Sequence, residues 1–268
     1  MPVEPVREAL LDVARRGGDV AEGALWLAAE DCPGVDPRPW LERIDILASE
    51  LRTRCGVHGC RPGDAPLVAT LLRDRLRLRA AGGGDPRAHY LHTVLERGAG
   101  IPIACSALWI AVGRRADIPI EGVNTPGHFL VRVQNLLYDT TEGEEPLDAE
   151  STRRLLSRAT GWPLRHLDPT WLRAADTRDI LVRMSRNLRG CYTCRENWEL
   201  ALRAADRCVA LLPGDPLERR DRGLLFWRLG RQHEALADLR FYSEAAPDDA
   251  ADRKTIEEII GRLRAFLN

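Results

Sequence analysis

Residues 100–139 read GIPIACSALWIAVGRRADIPIEGVNTPGHFLVRVQNLLYD, and this stretch decides the fold. Pro102 suits a first helical position, because the N–H that proline lacks would have no partner there in any case. Residues 103–112 are almost wholly apolar over about three turns, so the spacing predicts a buried helix. Arg114 and Arg115 then put two cations at the negative end of the helix dipole, and the helix closes before Pro119. Residues 118–123 read as a short strand with proline at its start, and Asn124-Thr125-Pro126-Gly127 as a turn. Residues 128–133 and 136–139 read as two further strands joined by the two-residue turn Gln134-Asn135. Such a hairpin brings His128 and Asp139 opposite one another at its outer ends.

GIPI at residues 100–103, PGHFLVRV at residues 126–133 and a strand ending in Asp139 resemble the bacterial transglutaminase-like proteins of the SirB type, which join that core to tetratricopeptide (TPR) repeats. The resemblance reaches from about residue 67 to the end, and PGHFLVRV is its most specific piece. It implies an α+β, mostly helical fold. A papain/transglutaminase-like core, one helix packed on a small antiparallel sheet, would lie between N-terminal helices and C-terminal helical repeats. In catalytic relatives it implies a thiolate at the start of the helix, an imidazole paired with it and a carboxylate that orients the imidazole. A helix N-terminus lowers a cysteine pKa, which explains why the thiol belongs there.

The column two residues after Gly100, where the family's cysteine is expected, holds Pro102, which has no nucleophile. The distance from Gly100 to Pro119 fits the family without a gap, so the alignment does not slide to recover a thiol. The candidate triad is therefore Cys105, His128 and Asp139. Cys105 lies one turn deeper, about 5 Å along the axis, whereas a nucleophile and its base must come within roughly 3 Å. Among Ile103, Ala104, Ala107 and Leu108 it reads as core filling, with a catalytic thiol as the alternative. His128 is either a base or thiolate partner, or a histidine satisfied at a strand entrance. Asp139 is either its orienting carboxylate or a turn residue.

With 268 residues and 44% hydrophobic content the chain can bury a core without staples. A formal net charge of -1 argues against nucleic acid or an anionic membrane as partner. Lys254 is the single lysine among 39 basic residues, an imbalance that reads as composition bias. The opening Met1-Pro2-Val3-Glu4-Pro5 is polar, with no signal peptide and no membrane span following. Seven irregularly spaced cysteines fit a reducing cytoplasm. No cofactor is expected. Cys55, His58 and Cys60 invite a metal, but zinc needs four ligands and no partner pair stands nearby, so an exposed glycine-rich loop is the reading. Cys191 and Cys194, three apart within a helical pattern, read as packing residues.

Amphipathic patterns over residues 6–16, 20–29, 40–51, 67–78 and 88–97 predict N-terminal helices, broken by Gly17-Gly18 and by Pro33-Gly34. Beyond Asp139 a polar loop precedes a capped helix at 148–159. Pairs 34 residues apart then recur: Pro213 and Pro247, Ala201 and Ala235, Leu202 and Leu236, Tyr192 and Phe226. That is the TPR period. Two units and a final helix at 254–267 are visible, with Trp198, Phe226 and Trp227 read as core rather than as a ligand cage. The expected division is a helical region at 1–80, the core at 81–170 and repeats at 171–268. Two functions follow. One is a non-catalytic interaction or scaffold module that takes a protein or peptide in its repeat groove. The other is a cysteine-dependent acyl transferase or amidase using Cys105, His128 and Asp139.

Overall fold

The computed structural model describes residues 3–247 and 249–267; Met1 and Pro2, where the polar opening starts, lie outside it, as do Asp248 and Asn268. Helices α1 (Val3–Arg15), α2 (Val20–Asp31), α3 (Pro37–Cys55), α4 (Ala65–Leu76) and α5 (Leu91–Arg97) lead to α6 (Pro102–Arg115). Two of them start on aspartates that accept from orphan helix N–H groups: Asp19 from Ala21 at 3.0 Å and Asp36 from Arg38 at 3.1 Å. Helix α6 has no polar face to show water. It is buried without a break from Ile103 to Gly113, and α2, α3, α4 and α5 all pack on it.

The sheets supply the rest of that cover. Strands β1 (Arg79–Ala80) and β2 (Ala99–Gly100) form a parallel pair just before α6. β3 (Ile120–Val123), β4 (Leu130–Val133), β5 (Leu136–Tyr138) and β6 (Ala174–Ala175) form an antiparallel sheet in the order β5-β4-β3-β6, and β3 and β4 lie against α6. The hairpin turns on Gln134 and Asn135, with Val133 opposite Leu136. β4 starts two residues later than the sequence suggests. The carbonyl of His128 accepts instead from Thr125 Oγ1 at 2.9 Å, which ties it into the turn. The fold is thus α+β and mostly helical, one helix on a small antiparallel sheet within a helical surround.

Helices α7 (Ala149–Thr160), α8 (Thr177–Cys194), α9 (Trp198–Leu211), α10 (Pro216–Arg228), α11 (Gln232–Ala245) and α12 (Arg253–Leu267) complete the chain. Two compact units divide within α8, one up to Met184 and one from Ser185 on. In the second unit the residues 34 apart occupy equivalent places: Ala201 and Ala235 are fully buried, and so, nearly, are Tyr192 and Phe226. Trp227 departs from expectation. It is 38% exposed and Trp198 is half-buried, because both face a groove rather than the core. Cys191 is buried as packing, but Cys194, one turn on, is exposed. Among the described residues no helix is long and apolar enough to cross a membrane.

Candidate functional site

His128 stands at the end of a turn that glycine makes possible. Gly127 has φ +69°, and a Cβ there would come within 2.7 Å of the Ala159 carbonyl at the end of α7. Asp139 follows β5 directly. Continuing the β4–β5 register sets Asp139 opposite Leu130, so His128 is its diagonal neighbour two residues along, a separation that a long side chain spans. His128 Nε2 lies 2.9 Å from Asp139 Oδ2.

Asp139 is 2% exposed and its other oxygen is also occupied. Oδ1 accepts from the Thr141 N–H at 3.0 Å and from Thr141 Oγ1 at 2.7 Å. Burial pushes the carboxyl pKa up, but the bonds from His128 and Thr141 outweigh it and leave the group below the ordinary 3.8. An ionised carboxylate only accepts, so Nε2 carries the proton. Nδ1 is the nitrogen left for a reacting group, and no hydrogen bond engages it among the described residues.

The structure does not bring the third candidate to that nitrogen. Cys105 is fully buried, and its thiol points toward the Gly100 carbonyl at 3.5 Å and the Arg79 carbonyl at 4.0 Å. Pro102 is the first residue of α6 and Cys105 the fourth, already donating its own N–H to Ile101 inside the helical ladder. Burial, with the charge of Asp139 added, pushes the thiol pKa up to about 12. At neutral pH the thiol therefore stays protonated.

Two hydroxyls join the site that sequence reasoning passed over. Ser106, the neighbour of Cys105, meets Thr140 oxygen to oxygen at 3.0 Å, both buried, and so ties α6 to the chain beside Asp139. A cavity of about 240 Å³ lies alongside, walled by Trp109, Arg79, Thr140 and Thr141, with neither Cys105 nor His128 in its lining.

The weak metal candidates lie elsewhere. Cys55 and Cys60 are joined as a disulfide, closing a loop in which Gly56, Val57, His58 and Gly59 are all exposed. A bonded sulfur is not a thiolate ligand. Among the described residues no three His, Cys, Asp or Glu side chains gather as a metal would need.

The sequence model of the transglutaminase-like superfamily matches residues 38–186, the part of the chain that holds the buried helix, the antiparallel sheet and the His128–Asp139 pair. A tetratricopeptide repeat model matches residues 188–261. A UPF0162 protein of Xylella fastidiosa (strain Temecula1) is 41% identical over 232 residues, 84% of this chain and 83% of its own. A UPF0162 protein of Pseudomonas aeruginosa is 30% identical over 268 residues, 96% of each chain. Protein SirB1 of Salmonella typhimurium is 29% identical over 171 residues, 60% of this chain and 61% of its own. The chain belongs to the transglutaminase-like superfamily, with the bacterial UPF0162 and SirB1 proteins as its relatives.

Proposed function

We propose that this protein is a non-catalytic interaction module. Its transglutaminase-like core keeps the His128–Asp139 pair and lacks a working thiol, and its repeats take a protein or peptide partner. The observation that carries this is the helix mouth. Proline stands where a thiolate would gain from the helix dipole, and the sulfur one turn in is sealed from water and held protonated. An oriented imidazole without a nucleophile still offers a polar contact, and TPR repeats generally mediate protein–protein interaction.

The competing reading is a cysteine-dependent acyl transferase or amidase, and His128 Nδ1, without a hydrogen bond among the described residues, is what favours it. Alkylation separates the two. The native protein is treated with iodoacetamide and each cysteine followed by mass spectrometry, with exposed Cys194 as internal reference. Cys105 is expected to label at least about 100-fold more slowly than Cys194 and to reach its rate only on unfolding. Fast labelling of Cys105 that rises with pH and disappears in His128→Ala overturns the non-catalytic reading.

A further inference from the structure

The second unit contains a groove of about 700 Å³ between α8 and α10, lined also by Trp198 at the start of α9. Three features of its lining bear on what it could hold. Gly190 sits in the interior of α8, where glycine is disfavoured, yet a Cβ placed on it would meet nothing within 4 Å. Packing does not require glycine there, and its effect is to leave the groove floor open. Trp227 spends a large apolar face on solvent at the same groove. Arg228 lies over the Trp198 ring, 4.7 Å from its centroid, and pairs with no carboxylate among the described residues.

The electrostatics are asymmetric. The other cations of the wall are neutralised in place: Arg189 by Asp221 and Glu218, Arg186 by Glu218 and Asp215. Arg228 is the exception. A guanidinium held over an indole without a carboxylate partner still has N–H donors to offer, and these match a carboxylate with two parallel hydrogen bonds. The space beside it, over Gly190 and between Trp198, Leu224 and Trp227, is apolar and large enough for one or two side chains.

We infer that this groove binds a peptide segment in which an aromatic or large aliphatic side chain stands next to an aspartate or glutamate. The apolar side chain lies over Gly190 against Trp227, and the carboxylate takes the edge of Arg228. This rests on the interaction-module reading and supplies its ligand class.

The test uses the full chain, fluorescently labelled, on an array of twelve-residue peptides. The peptides vary independently in acidic, basic and aromatic content. Acidic peptides with an aromatic or aliphatic residue are expected to bind at least about 10-fold more strongly than their amide (Asp→Asn, Glu→Gln) or basic counterparts. Gly190→Leu, whose Cβ meets nothing within 4 Å and whose branch adds bulk beside Trp227, is expected to abolish that binding. Arg228→Glu is expected to move the preference to basic peptides, a gain that a misfolded variant cannot produce. An array without preference, a preference for basic peptides in the unmodified protein, or binding untouched by both variants overturns the inference. None of these outcomes touches the thiol, so the alkylation result stands or falls separately.

Discussion

A carboxylate that is 2% exposed persists in a protein only when donors surround it, and Asp139 has three: the His128 ring, the Thr141 amide and the Thr141 hydroxyl. Their combined pull exceeds the burial penalty, so the folded pKa lies below the ordinary 3.8. The unfolded chain therefore takes up the proton first as pH falls. Asp139 should stabilise the fold fully above that ordinary value, and the benefit should fade as pH drops through the folded value. Urea unfolding of the unmodified protein and of Asp139→Asn from about pH 7 to about pH 2 measures it: the gap between the two should be widest near neutrality and shrink in acid. A gap independent of pH would mean that shape, not charge, is what the site needs. The His–Asp partnership was legible in the sequence because the hairpin brings both residues to its outer end, although the register sets Asp139 opposite Leu130 and His128 reaches it diagonally rather than from the opposing position. The Ser106–Thr140 contact was not, since a lone hydroxyl in an apolar helix looks like filler until the opposing chain is in place.

Helix α6 and the β4–β5 hairpin could be read in advance because each carries its own local signal: proline entry, an unbroken apolar run, a two-residue turn. Strands β1, β2 and β6 could not, since two residues have no periodicity and become strands only when a partner lies alongside. What the β1–β2 pair does depend on is Gly98, which ends α5 with φ +64° and whose Cβ would stand 1.8 Å from the Leu76 carbonyl. That oxygen belongs to the backbone at the end of α4 and cannot swing aside. Gly98→Ala is expected to cost at least about 2 kcal/mol in a denaturant titration. The same substitution at Gly190 meets open space in a helix interior, so Gly190→Ala should leave stability unchanged or raise it by up to about 1 kcal/mol. Equal effects at the two positions would contradict the packing just described.

Across the molecule, 39 basic residues face 40 acidic ones, and all but Lys254 of the former are arginine. Read as composition bias in the sequence, the arginines turn out to be used as forks between carboxylates distant in the chain. Arg115 joins Asp19 to Asp45 in the first unit, and Arg222 joins Asp206 to Asp238 in the second. Such pairings follow no local pattern, which is why they could not be foreseen. The most committed of them centres on Glu218, 1% exposed and held by Arg186 and Arg189. Burial raises its pKa, but the two guanidinium charges outweigh that and keep the carboxyl below 4.5. Deleting Glu218 removes one of two carboxylates from each guanidinium, leaving the mostly buried Arg189 to Asp221 and Arg186 to Asp215. Glu218→Ala is therefore expected to destabilise the second unit by about 1.5–3 kcal/mol, read as faster amide hydrogen exchange in α8, α9 and α10. The unmodified protein should lose the same protection in acid, as the unfolded carboxyl protonates ahead of the folded one and the pairing energy drains away. Exchange in Glu218→Ala that matches the unmodified protein at neutral pH would show the arginine network to be surface decoration, with the repeats held by their alanine-lined helix contacts alone.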